Sequence, residues 1–202
     1  MTPEHLDIIE KVKTMYLRYG IKSVTMEDVS RELGISKKTL YQYFTDKQQL
    51  VEGVAHFEMN RAKKSLQEIF EQEFDAIHEM YQLHCFLAEM AKHHSHVAEY
   101  DLKKYYPSIF QEIMNMKREW LNALWKTNIE KGKQEGYYRS EVNTEIIAKT
   151  NLLRFESSMD TCIFSDEEME SKDFFNEILI YHIRGIATSK GIDRLSELMQ
   201  KQ

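Results

Sequence analysis

Apolar residues recur at three- and four-residue spacing from one end of the chain to the other, the period of an amphipathic helix. From Glu4 to Tyr19 the repeat is Ile8, Val12, Met15, Tyr16 and Tyr19, and Gly20 supplies a helix stop. Thr25 with Asp28 three residues later resembles a capping box, opening a second helix that turns Met26, Val29 and Leu33 inward. Gly34 ends it. Ser36 then caps a third helix running to about Phe44, with Leu40 and Phe44 as its inward pair. Thr45 and Gln48 form a further candidate box, predicting a long fourth helix to about Phe70. Beyond it the pattern predicts helices at 73–94, 98–106, 108–133, 143–164, 172–189 and 192–201, with Pro107, Gly132, Gly136, the run near Ser165 and Gly191 as breaks. The expected fold is all-α. Residues 1–47 form a helix-turn-helix domain and residues 48–202 a helical body, with helix 48–70 connecting them.

Composition supports this reading. Of 202 residues, 42% are hydrophobic and 30% charged, and only 7 Gly and 2 Pro interrupt them, too few breakers for a β-rich fold. Cys85 and Cys162 sit in apolar-patterned stretches and read as small buried hydrophobes in a reducing compartment. The N-terminus lacks a signal-peptide pattern, and no run approaches the ~18 apolar residues of a membrane span. A cytoplasmic protein with no membrane partner is expected. Net charge is −6, yet residues 1–64 hold eleven Lys/Arg against nine Asp/Glu, and the remainder sixteen against twenty-four. A basic module on an acidic body fits that asymmetry, as do solvated surface charges.

The segment 26–44 has the outline of a helix-turn-helix. Ser30 is small where two helices would cross, and Gly34 allows the turn. With Leu40 and Phe44 inward, the third helix shows Ser36, Lys37, Lys38, Thr39, Gln42 and Tyr43 outward, with no acid among them. Such a helix fits the major groove of double-stranded DNA, where Lys37 could donate to guanine and Thr39 could meet a thymine methyl or a phosphate. The helix starts after Thr25 and Thr45 suit phosphates. Lys47 falls in a first turn, where cations are disfavoured, and a phosphate would account for it. A solvated helix pair inside a larger bundle is the plainer alternative.

The string LGISKKTLYQYFTDKQQL from Leu33 to Leu50, with Gly20, Thr25-Met26 and Val29 before it, resembles the TetR family of transcriptional regulators. The likeness is close over about the first quarter of the chain, and the rest matches in architecture alone. It implies a homodimer on a near-palindromic operator, usually a repressor, released when a small molecule enters the body. It implies that Thr25 and Lys47 hold phosphates, that Lys37, Lys38 and Thr39 face bases, and that Tyr41 and Tyr43 reach the backbone. Ser30 stands where the family usually has Ala, and Lys38 where a small residue or Pro is common.

The body carries two further patterns. The stretch FFNEILIYHIRGI is apolar on two faces: Phe174, Ile178, Tyr181 and Gly185 form one stripe, and Phe175, Leu179, Ile183 and Ile186 the other. A helix covering one core needs one stripe, so the first stripe, with Phe155 on the helix before it, is a candidate dimer face. A fully buried helix would look the same. Met80, Tyr81, His84, Phe110, Met114, Trp120, Trp125, Phe155 and Met159 are adaptable groups that could line an effector pocket, although such stripes are more often core. His93, His94 and His96, with His84 upstream, form no complete metal set by spacing; no metal and no cofactor are expected. No nucleophile–base pair stands out, so no enzyme is expected. The competing readings are a helical enzyme or ligand carrier with a vestigial helix-turn-helix, and an adaptor using the two-striped helices.

Overall fold

A computed structural model of the chain describes residues 2–92, 95–158, 164–165, 167–168 and 171–200. Ten helices span the described residues: α1 Pro3–Tyr19, α2 Met26–Leu33, α3 Lys37–Tyr43, α4 Lys47–Phe70, α5 Ala76–Lys92, α6 His96–Tyr105, α7 Pro107–Gln134, α8 Thr144–Ser158, α9 Lys172–Ile186 and α10 Ser189–Met199. Among the described residues there is no strand, and one isolated antiparallel bridge joins Tyr138 to Ala187. No described helix is long and apolar enough to cross a membrane.

Packing divides the chain into two compact units, residues 1–63 with 95–117, and residues 64–94 with 118–202. These units are drawn differently from a division at residue 47, because α6 and the start of α7 cluster with the first helices. The core of the first unit holds Ile9, Val12 and Tyr16 of α1, Val29 of α2, Leu40 of α3, Leu50 and Val51 of α4 and Ile109 of α7. The second unit is built on Ile77 and Leu83 of α5, Leu121, Trp125 and Ile129 of α7, and Leu179 and Ile183 of α9. Burial of such side chains stabilises each by about 1.5–3 kcal/mol.

Several local expectations shift by a residue or change role. Tyr19, the last residue of the apolar repeat in α1, is exposed, with the Arg18 guanidinium over its ring. The fourth helix is opened by Asp46, not Thr45: Asp46 Oδ1 accepts the Gln49 N–H at 2.8 Å, while Gln49 Oε1 accepts the Thr45 N–H at 2.6 Å. Pro107 begins α7 instead of preceding it, since a first helical position needs no N–H. Gly132 and Gly191 are not breaks. A Cβ on Gly132 would meet the Tyr138 ring at 2.1 Å, and one on Gly191 the Tyr137 carbonyl oxygen at 2.3 Å. Both lie inside helices and are small so that the segment after α7 can press against them. Cys85 is exposed, because α5 turns Leu83 and Leu87 to the core and leaves position 85 outside. Cys162 lies outside the described residues.

Candidate nucleic-acid interface

The two helices at 26–43 are set by their caps. Thr25 accepts the Asp28 N–H at 3.1 Å and Asp28 accepts the Thr25 N–H at 3.0 Å, a reciprocal box at the start of α2. The Thr25 hydrogen bonds hold the Asp28 carboxyl below its usual range. Gly34 adopts φ 67° and ψ 26°, the left-handed conformation, and the chain reverses there with the Ile35 N–H donating to Ser30 carbonyl at 3.0 Å. Ser30 is buried, and its hydroxyl donates to the Glu27 carbonyl at 2.9 Å. Ser36 caps α3 by accepting the Thr39 N–H at 3.0 Å. Leu40 and Phe44 are buried in the first unit. The opposite face of α3 is thereby left to solvent.

That face is more differentiated than its composition suggests. Lys38 and Gln42 are exposed, and Lys38 makes no ion pair or hydrogen bond among the described residues. Lys37 is exposed but its ammonium donates to Glu27 Oε2 of α2 at 2.7 Å. An acid therefore does stand beside the face, brought there by the turn, and this contact with Lys37 holds the Glu27 carboxyl below its usual range. The hydroxyls of Ser36 and Thr39 lie 2.8 Å apart and bond each other. Tyr41 is exposed, whereas Tyr43 is half-buried with its ring edge-on to His5 at 4.9 Å. Of the two tyrosines, only Tyr41 projects freely.

Lys47 has a protein partner. Its ammonium donates to the Lys22 carbonyl at 3.1 Å, and burial pushes its pKa down. The Lys22 amide N–H in turn donates to Asp101 Oδ2 of α6 at 2.8 Å. Lys22 thus joins α4 through its carbonyl and α6 through its amide. Asp101 is buried and 79 residues away along the chain, so no local pattern marks it. Glu27 is ten residues from Lys37 and on another helix, so only the Gly34 turn brings the two together. Asp46 was legible, since Asp46 and Gln49 have the same i, i+3 spacing as Thr45 and Gln48.

In the second unit, Met80, Tyr81 and Trp125 are buried members of the core, and Trp120 and Phe155 pack against it. The Tyr81 phenol is pushed up to about 12 by burial, with the neighbouring Cys85 adding to it. His84 donates its Nε2–H to the Phe175 carbonyl at 2.7 Å, and burial pushes its pKa down to about 4. His182 is buried, lies 3.5 Å from the Asn151 amide, and is pushed by burial down to about 3. Arg154 beside them is also depressed by burial, and its Nε has no hydrogen-bond partner among the described residues. This polar group was unrecognised in the sequence apart from His84. Phe110 and Met114 belong to the first unit, and Met159 lies outside the described residues. On α9, Leu179, Ile183 and Ile186 are buried, while Phe174 and Ile178 are half-buried, Gly185 is exposed and Tyr181 is 76% exposed. Ile146 and Leu153 of α8 are exposed as well. His93 and His94 lie outside the described residues, and His96 is exposed in the first turn of α6.

Residues 8–54 match the model of bacterial regulatory proteins of the tetR family. No curated protein matches the chain in sequence. Among solved structures, a TetR transcription regulator from Haloarcula marismortui is 15% identical with a TM-score of 0.77, over 93% of this chain and 100% of that one. A transcriptional regulator from Cytophaga hutchinsonii is 19% identical with a TM-score of 0.74, over 93% and 100%. The ketosteroid transcriptional regulator KstR2 of Mycobacterium tuberculosis is 15% identical with a TM-score of 0.59, over 94% and 97%. The matched segment, less than half of the chain, contains the capped α2–turn–α3 pair of a tetR-type DNA-binding module, and the fold of these regulators is shared along nearly the whole chain.

Proposed function

We propose that the protein is a cytoplasmic, homodimeric repressor that binds a near-palindromic double-stranded operator through α3 and releases it when a small molecule binds the second unit. The supporting observation is α3 itself: capped by Ser36, anchored by Leu40 and Phe44, and presenting Lys37, Lys38, Tyr41 and Gln42 to solvent. In this reading Lys37, Lys38, Thr39 and Gln42 meet base edges, and Tyr41 donates to a phosphate. Thr25, Ser36, Tyr43 and Lys47 hold the register of the helix pair. Lys47 reaches a phosphate only by sharing its ammonium with the Lys22 carbonyl.

The exposed stripe of α9, with Tyr181 at its centre, is the self-complementary face of a two-fold dimer, joined by the exposed apolar residues of α8. Such a dimer places two recognition helices ~34–36 Å apart, one turn of DNA. The Met and aromatic side chains of the second unit suit an apolar effector; KstR2, a fold neighbour, is described as a ketosteroid transcriptional regulator. DNA and effector must oppose each other by reciprocity, and α4 and α7, which each contribute residues to both units, are the connecting elements. No cofactor is required.

Selection of DNA from a random library, followed by a salt titration, tests the reading. A palindromic consensus bound with a steep negative log–log salt slope is expected. Binding that is independent of sequence, or absent, refutes it. Small molecules that release the selected DNA then identify the effector.

A further inference from the structure

We propose that Glu52, His56 and Glu112 form a binding site for a divalent first-row transition-metal ion, which ties α4 to α7 inside the first unit. Glu52 and His56 are four residues apart on α4 and therefore share a face. Glu112 comes from the first part of α7, and its Oε1 lies 3.2 Å from His56 Nε2. One ligand atom from each of the three side chains lies within 4.8 Å of the other two. Ligands around such an ion at ~2.0–2.2 Å stand roughly 3–3.5 Å apart, so small rotations of exposed side chains close the site.

The charge balance favours a cation. Among the described residues, neither Glu52 nor Glu112 pairs with Lys or Arg. By contrast, Glu58 on the same helix is held by Lys13 at 2.8 Å and Arg61 at 3.1 Å. Two carboxylates thus face one imidazole with no fixed positive charge. An imidazole with two carboxylates selects Zn²⁺, Co²⁺, Ni²⁺ or Mn²⁺ over Mg²⁺ and Ca²⁺. Three protein ligands leave further positions to water, and the partial exposure of all three gives the ion a route in.

The site has a mechanical consequence. Leu50, Val51 and Val54 of α4 lie in the core under the helix-turn-helix, beside Ile109 of α7. An ion spanning α4 and α7 selects the arrangement in which these helices are packed, and stabilises it in proportion to occupancy. Its effect on operator affinity rests on the function proposed above; the metal site does not.

The test is equilibrium dialysis of the chelator-treated full chain against ZnCl₂, with visible absorption of the Co²⁺ form as a reading of its ligands. One ion per chain is expected, with a rise in melting temperature of roughly 5–10 °C at a hundredfold excess over Kd. Glu52→Gln, His56→Gln and Glu112→Gln should each weaken binding by at least about tenfold, and the triple variant should lose the site while keeping its helical circular dichroism. A control His96→Gln should bind as the parent does. Zn²⁺ binding that survives in the triple variant, or is absent from the parent, overturns the proposal. A chain that binds Zn²⁺ here but selects no DNA leaves the site standing and refutes the regulatory reading.

Discussion

Replacing Asp101 with Ala tests how the first unit holds its DNA-facing helices. The Asp101 carboxylate is buried and accepts the Lys22 N–H at 2.8 Å, and the Lys22 carbonyl accepts from Lys47 at 3.1 Å. A hydrogen bond to a charged group contributes about 1.5–3 kcal/mol. A chain of this length loses roughly 2–4 °C of melting temperature per kcal/mol, so Asp101→Ala should melt roughly 3–12 °C below the parent. Asp101→Asn keeps an acceptor without the charge and should recover about half of the loss, since neutral hydrogen bonds contribute about 0.5–1.5 kcal/mol. Thermal unfolding followed by circular dichroism gives the first readout. Fluorescence anisotropy with the selected operator gives the second, and affinity should fall with stability, because Lys22 and Lys47 are positioned by the same contact. An Ala variant that melts with the parent and binds DNA equally well would show that the α1–α2 loop needs no support from α6.

Four further outcomes follow from the geometry. Glu27→Gln should tighten operator binding, most at low salt, by freeing Lys37 and removing a negative charge from beside α3; Lys37→Ala should relax base preference, whereas Lys47→Ala should weaken all sequences alike and lower the salt slope by about one, so identical sequence profiles for the two lysine variants would contradict the assignment. His84 and His182 have folded pKa values depressed to about 4 and about 3 from 6.5. The unfolded chain therefore binds more protons below pH 6.5, and stability should fall as pH drops from about 7 towards 4, by up to about 1.4 kcal/mol per pH unit for each histidine; chemical denaturation of the parent and of the His84→Gln, His182→Gln pair checks this, and an unchanged pH dependence in the double variant would assign the effect elsewhere. Tyr181→Asp should convert the proposed dimer to monomer in light scattering while leaving the helical spectrum intact, and a variant that stays dimeric moves the interface off the exposed stripe of α9.

The helix-turn-helix was legible because its determinants are local. Thr25 with Asp28, Gly34, and Ser36 with Thr39 act over three or four residues, and each cap or turn forms where its spacing indicates. Leu40 and Phe44, four apart, also declare their own burial through the helical period. The two-faced pattern of α9 is legible on the same ground, since Leu179, Ile183 and Ile186 repeat at the spacing that covers one core.

Residues whose role depends on another element were not legible. Lys37 reads as a free cation until the Gly34 turn brings Glu27 beside it, and Lys47 reads as misplaced until the Lys22 carbonyl is seen to receive it. Gly132 and Gly191 look like helix stops in one dimension, and only the approach of Tyr138 and Tyr137 explains them. Helical periodicity states which face of a helix is apolar, but not which helix will cover it or at what angle. The sequence alone determined the caps of α2 and α3, the Gly34 turn and the burial of Leu40 and Phe44. The tertiary structure alone decided that Asp101 supports the α1–α2 loop and that Glu52, His56 and Glu112 meet, because these contacts join elements whose separation along the chain leaves no periodic trace.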